Sequence, residues 1–310
     1  MMDNSDYRFE RLTGRNAHLI RKLFRQVYNK DYPEEFFQKK YDTLGFNKSV
    51  TGYFAFNQAG EAVAYYGIFP CRALIKGQQV LIAQSGDSMT LSHHQRKGLF
   101  TRLAMMTYAD AKAEGIHFVY GFPNRNSEHG LFDVLQWKRE GRMLEFSKRI
   151  PVLPIAIISH RVKPFRIIYL AWKNVVLNFF KAGKQFPNPA GEFCVARDAS
   201  FFNYKGYSDS CLINIGGRNI FLKEEGHLKI GDMEFSSEEE LKAIWKRIVL
   251  LAFLLGTRKV IWIYSENHPY VPLLKKYFKH RQEGHYGHFN LSGVYDTAGM
   301  SYAFCDSDTF

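Results

Sequence analysis

The segment Ser88–Leu103 constrains this chain most. A strand-like run ends at Leu91, a basic stretch His93-His94-Gln95-Arg96-Lys97-Gly98 follows, and a helical pattern opens at Leu99. The first turn of a helix carries N–H groups without intrahelical partners and the positive end of the helix dipole. Arg96 and Lys97 add cations there, and Gly98 has no Cβ to keep an anion from the main chain. Such a construction suits a pyrophosphate. The plainer alternative is a helix start with solvated basic residues. A nucleotide phosphate loop is excluded, because Gly-x-x-x-x-Gly-Lys-Ser/Thr is absent.

The surrounding pattern sets the fold class. Strands are expected at Tyr7–Leu12, Thr51–Phe56, Ala62–Ala73, Val80–Leu91, His117–Phe122 and Lys138–Ile150. Helices are expected at Asn16–Tyr28, from Pro33 through Tyr41, at Leu99–Glu114 and at Asn126–Gln136. Three meandering strands precede one strand–loop–helix–strand crossover. That order predicts an α/β fold of the α+β kind with a mixed sheet, and excludes the regular alternation of a dinucleotide-binding domain.

Ser88-Met89-Thr90-Leu91-Ser92-His93-His94-Gln95-Arg96-Lys97-Gly98-Leu99-Phe100 resembles motif A of the GNAT N-acetyltransferases, a strand followed by Gln/Arg-x-x-Gly-x-Gly/Ala. Gln95 and Gly98 match, whereas Phe100 replaces the usual small residue. Phe122-Pro123-Asn124-Arg125-Asn126-Ser127, with Trp137 beyond it, is similar to the family's next strand, loop and helix. The resemblance covers roughly residues 7–150. It implies a GNAT-like acyl-CoA N-acyltransferase fold with acetyl-CoA as cosubstrate. Main-chain groups of Met89 and Thr90 would bond the pantetheine arm like an added strand. The N–H groups of Arg96, Lys97, Gly98, Leu99, Phe100 and Thr101, next to Gln95, would hold the pyrophosphate. Asn126 would bond the amide or thiol end, or cap the next helix.

Acetyl transfer to an amine needs a base, an oxyanion donor and a proton for the departing thiolate. The N–H of Thr90 or Leu91 is the candidate oxyanion donor. The tyrosine that the family often uses for the thiolate is replaced by Phe132, five residues before Trp137. Asp87, Glu128 and His129 are the candidate bases. Asp87 stands two residues before Met89 and shares its face; an ion pair with an arginine is the alternative. His129 is either a proton shuttle or an inert exposed histidine. Tyr120 is either an acid or a core residue, and the terminal carboxylate of Phe310 is a further candidate.

The net charge of +12 is uneven: Phe146–Gly191 contains no Asp or Glu but holds Lys148, Arg149, Arg161, Lys163, Arg166, Lys173, Lys181 and Lys184. Within it, Phe165–Ala182 is apolar around most of a helix. Lys173 near its middle argues against a membrane span. Burial between two domains is expected, and a weak peripheral contact of residues 165–182 with an anionic membrane surface is the alternative. The boundaries expected are 1–150 for the acetyl-CoA-binding domain, 151–191 for a basic linker and 192–310 for a degenerate second GNAT-like domain. That last part should hold strands at Cys211–Ile215, Asn219–Lys223, Leu228–Ile230, Lys259–Tyr264, His288–Ser292 and Ser301–Cys305, with helices from Ser236 to Leu255 and from Pro269 to Lys279.

His280, His285 and His288 lack the spacing of a metal site and are expected to be solvated, so no metal is expected. Four scattered cysteines and the absence of an apolar leader fit a reducing, cytoplasmic setting. The expected function is acetyl-CoA-dependent N-acetylation of a small-molecule amine, such as an amino sugar or nucleotide sugar, with no nucleic-acid partner. The alternatives are a catalytically silent acyl-CoA-binding protein and a Fem-like aminoacyl transferase.

Overall fold

The structure is a computed structural model and describes residues 6–180 and 191–310. The chain forms two compact units, Met1–Gly141 with Gly284–Ala298, and Arg142–Glu283 with Gly299–Phe310.

In the first unit, β1 (Arg8–Arg11) is followed by α1 (His18–Tyr28) and α2 (Glu34–Tyr41), then the meander β2 (Thr51–Phe56), β3 (Ala62–Ile75) and β4 (Gln78–Thr90). Helix α3 (Leu99–Ala113) crosses over to β5 (Phe118–Gly121), which lies parallel to β4. Strand β6 (Lys138–Arg149) begins in this unit and continues in the second. The sheet has two covered faces. On one, α3 buries Leu99, Leu103, Tyr108 and Ala111 against Val63, Tyr66, Ile68 and Val119. On the other, Ile20 and Leu23 of α1 and Phe37 of α2 pack on Phe54, Tyr65 and Met89. Each helix presents one apolar stripe to the sheet, as its periodicity requires. The expected helix at 126–136 is only a short turn ending in a π-helical segment, Gly130–Val134.

The second unit holds α4 (Ile155–Arg161), α5 (Lys163–Phe179), β7 (Phe193–Val195), α6 (Ala199–Lys205), β8 (Cys211–Ile215), β9 (Arg218–Glu224), β10 (Leu228–Met233), α7 (Glu238–Leu254), β11 (Lys259–Ser265) and α8 (Val271–Tyr277). Ser237 caps α7 by accepting the Glu240 N–H, and three glutamates occupy its first turn, where the helix dipole favours them. The order repeats that of the first unit: a meander β8-β9-β10, a helix, and a strand β11 parallel to β10. Beyond Ile230, β10 bulges, and the terminal segment fills the gap between it and β11. Ser265 donates its N–H to Tyr302 O (2.9 Å), Tyr264 bridges Ala303, and the Phe310 ring lies where a side chain on Gly231 would stand.

The last strand, β12 (His280–Asn290), returns to the first unit from Gly284 onward and pairs antiparallel with β5, Gly287 opposite Gly121 and His288 opposite Tyr120. Its hydrogen bonds complete the β5 edge near Tyr120, so the sheet of residues 7–150 is incomplete without a strand from the far end of the chain.

Three expectations need correction. Residues 165–180 are not enclosed: only Tyr169, Lys173 and Val176 of α5 are buried, because just a narrow i, i+4, i+7 stripe meets protein. His288 is not solvated but fully buried, 3.5 Å from Glu140. Residues 301–305 form isolated bridges and a 3₁₀ turn rather than a strand. Of the expected linker 151–191, residues 181–190, with Lys181 and Lys184, lie outside the described residues.

Candidate active site

Strands β4 and β5 pair only at Ala83–Val119 and Gln84–Tyr120; β5 then ends at Gly121 while β4 continues to Thr90. A bulge lies in the continuation. Gly67 opposes Gly86 and Tyr65 opposes Met89, so Asp87 and Ser88 share one partner, and Asp87 takes φ +52°. An extra residue bends a strand away from its neighbour. Leu91 donates its N–H to Val63 O at 2.9 Å. Ladder bonding alternates along an antiparallel pair, so Met89 also turns its main chain to β3, while Ser88 and Thr90 turn theirs to the open edge. Two side chains reach that edge: Tyr28 OH donates to Ser88 O (3.0 Å) and Gln95 Nε2 to Thr90 O (3.3 Å). Thr90 N–H therefore faces the gap. Leu91 is excluded as oxyanion donor because its N–H is committed, and Met89 contributes a side chain buried under α1 rather than a free main-chain edge.

The loop that follows turns through a 3₁₀ segment, Ser92–His94, and reaches α3 with Arg96 at φ +61° and Gly98 at φ +73°. The first bond of the helix runs from Arg102 N–H to Gly98 O (3.1 Å). Among the described residues, no backbone acceptor takes the N–H groups of Arg96, Lys97, Gly98, Leu99, Phe100 or Thr101. Six consecutive free donors sit at the positive end of a 15-residue helix. Nothing approaches within 4 Å of where a Gly98 Cβ would stand, so this glycine serves its positive φ and leaves the approach open. Phe100 turns into the core against Tyr66 (5.5 Å between ring centres). It fits because Gly130 opposes it: a Cβ there would come within 2.8 Å of the Phe100 ring. The departure from a small residue at position 100 is thus balanced by a glycine across the contact.

Asn124, not Asn126, caps the turn after β5: its Oδ1 accepts the N–H groups of Asn126 (2.9 Å) and Ser127 (3.2 Å). The Asn126 side chain is exposed. Glu128 pairs with His285 Nδ1 at 2.7 Å and with Arg139 at 3.5 Å. His285 is supplied by β12, and its tie to Glu128 joins residues 157 apart in the chain. His129 meets only Asp133, one helical turn on at 2.8 Å, with both side chains in solvent. Phe132 is buried, with the Arg139 guanidinium 4.6 Å over its ring and the His285 ring beside it.

Asp87 is buried and fully engaged. Lys40 Nζ stands 2.7 Å from Oδ1 and Tyr41 OH donates to Oδ2 at 2.8 Å. Its partner is a lysine, not the arginine expected. Burial and the Asp87 charge raise the Tyr41 phenol well above its ordinary value. On the opposite face, the hydroxyl of Tyr66 shares hydrogen bonds with Ser85 (2.8 Å) and Tyr108 (2.7 Å), and Trp137 Nε1 donates to Tyr108 OH (3.1 Å). Tyr120 is buried, its hydroxyl 3.9 Å from Cys71 Sγ. The Phe310 ring is buried in the second unit against Phe221 and Phe304.

A splayed pair of parallel strands lies beside an uncapped helix N-terminus, an arrangement whose geometry suits an anionic, extended ligand. Solved structures agree in fold. A GCN5-related N-acetyltransferase from Kribbella flavida is 13% identical, with a TM-score of 0.60 over 93% of this chain and 72% of that one. A GCN5-related N-acetyltransferase from Anabaena variabilis is 12% identical, with a TM-score of 0.58 over 92% and 73%. A glucosamine N-acetyltransferase region of a fungal β-N-acetylglucosaminidase is 11% identical, with a TM-score of 0.52 over 93% and 38%. A comparison with curated proteins finds no match. Residues 8–137 match the model of the acetyltransferase (GNAT) domain.

Proposed function

We propose that the protein is an acetyl-CoA-dependent N-acetyltransferase acting on a small amine. The observation that carries this is the row of six free N–H groups from Arg96 to Thr101 beside the splayed end of β4. Bound there, acetyl-CoA would supply the acetyl group as a thioester. The N–H row, with Arg96 and Lys97, would hold the pyrophosphate. Thr90 N–H would meet the pantetheine arm or the developing oxyanion, and Asn126 has an uncommitted amide for the thiol end. The match of residues 8–137 to the acetyltransferase (GNAT) domain model and the whole-chain fold likeness support the same class.

Proton removal from the amine is better assigned to His285 than to Asp87 or His129. Glu128 holds His285 Nδ1, which orients the ring and leaves Nε2 to take a proton. Asp87 already neutralises Lys40, and His129 lies in solvent. The acceptor class we favour is an amino sugar, including one carried on a nucleotide. Tyr28, Tyr32 and Phe36 support it: Tyr32 and Phe36 stack at 4.5 Å, Tyr28 and Tyr32 are partly exposed, and Tyr28 reaches the Ser88 carbonyl at the cleft edge. Aromatic faces of this kind suit the apolar side of a sugar ring.

Phe132 favours a second reading, an acyl-CoA-binding protein without turnover, because phenylalanine cannot protonate a thiolate. Thiol release measured across a panel of amino sugars and simple amines separates the two. Turnover with His285→Gln reduced about 10²-fold or more and CoA affinity kept supports the enzyme and its base. Tight CoA binding without thiol release from any amine supports the binding protein.

A further inference from the structure

Helix α5 shows solvent a second apolar stripe besides the one it buries. Ile168, Trp172, Val175 and Phe179 follow one another at i, i+4, i+7 and i+11, and are 68%, 47%, 63% and 86% exposed. The stripe is braced by α7: Trp172 Nε1 donates to Leu254 O (2.8 Å) and Tyr169 OH to Leu255 O (3.0 Å). Near that end of α7, Leu250 and Phe253 are also exposed. Isolated exposed hydrophobes are ordinary, but a run of large ones on a braced helix marks a contact surface.

Charge identifies the partner. There is no Asp or Glu from Phe146 to Gly191, nor from Leu241 to Ser265. Beyond the acidic first turn of α7, where Glu238 pairs with Lys242 at 2.7 Å, the exposed ionic residues on these helices are cations: Arg161 on α4, Lys163 and Arg166 at the start of α5, and Lys246 and Arg247 on α7. The one buried cation of α5, Lys173, is spoken for by Glu224 at 3.4 Å. A second copy of this face would bring like charges together, which disfavours self-association. No described helix is long and apolar enough to cross a membrane. An apolar stripe with a tryptophan, on a helix whose exposed ionic residues are cations, is built to lie in the interface of an anionic bilayer.

We propose that α5, with the C-terminal part of α7, docks the protein on anionic lipid surfaces. The contact is peripheral: Trp172, Val175 and Phe179 enter the headgroup boundary, and the arginines and lysines face lipid phosphates. It uses no residue of the CoA cleft and stands apart from the acetyltransferase assignment.

The test is flotation of the full chain with vesicles of phosphatidylcholine alone and of phosphatidylcholine mixed with phosphatidylglycerol. Binding is expected only to the mixed vesicles, falling at least about tenfold in 0.5 M NaCl, where charges are screened beyond about 4 Å. Val175→Glu with Phe179→Glu should lose that binding while keeping wild-type circular dichroism and Tm, since both side chains already lie in water. Failure to float with either vesicle overturns the proposal, as does equal flotation of the double variant. So does a concentration-dependent dimer that the double variant abolishes, since that assigns the stripe to a second copy. Flotation is scored without CoA or amine, so its failure and the failure of the acetyltransferase reading are told apart.

Discussion

Position 98 has two jobs, and one substitution separates them. Its φ of +73° starts α3, and the space around it admits an anion. Acetyl-CoA should raise the Tm of the wild-type protein, and Gly98→Asp should remove that rise, because a carboxylate would stand where phosphate oxygens belong. Gly98→Asn is the control: it accepts a positive φ without the charge and should keep part of the shift. A full shift with Gly98→Asp refutes the site. Asp87 is the second informative residue. Asp87→Asn leaves Lys40 buried without its counter-charge, a loss of roughly 3–5 kcal/mol in such settings. Urea denaturation should show it, and Lys40→Met added to Asp87→Asn should recover a good part. A stable Asp87→Asn protein with depressed kcat would instead return Asp87 to the role of base. The sequence carried Asp87 as a candidate but not its partner: nothing in the alternation from 78 to 90 marks the bulge that turns its carboxylate towards α2.

At the scale of elements, strands and helices of the first half were legible to within a few residues, because their apolar periods are clean. The exceptions have a common cause. Residues 126–136 are apolar enough for a helix, yet they form a turn and the π-helical segment Gly130–Val134, in which Gly130 leaves room for the Phe100 ring. Gly130→Ala should therefore strain the start of α3 as well as its own turn, at a cost of about 1–3 kcal/mol, with weaker CoA binding measured by calorimetry. Unchanged stability and affinity would show that Phe100 can move aside. Helix α5 is the other exception. A sequence apolar on most sides reads as core, and composition does not reveal that only one stripe finds protein to pack on. The glycine loop was legible for the opposite reason: its chemistry is local, so loop, glycine and helix start lie together in the chain.

The long-range parts of the molecule were not legible, and they include the partner of Glu128. His285 arrives on a strand that follows β5 by some 160 residues, and no local pattern predicts that pairing. Nor does any local pattern show that the second unit occupies its own strand gap with residues 301–310. Two buried histidines from this hidden layer set how the whole chain should respond to acid. His268 is held neutral: burial, helped by the Arg197 charge, pushes its pKa down from 6.5 to about 3, and its Nδ1 accepts the Tyr270 N–H at 3.2 Å, which a protonated nitrogen could not do. Burial also lowers His288, although Glu140 opposes the shift. For both, the unfolded chain binds the proton more readily. Their contribution to stability is therefore present above pH 6.5 and is lost as pH falls towards the folded value. For His268 alone the loss between pH 7 and pH 5 is about 2 kcal/mol. Glu140 adds little in that window, since its carboxyl, held down to about 2 by His288 and Lys138, releases its share only in stronger acid. Urea midpoints taken every half pH unit should fall from pH 7 to pH 5. His268→Gln should flatten the slope by roughly one proton, whatever it does to stability at pH 7. An equally steep slope in that variant would remove His268 as its source.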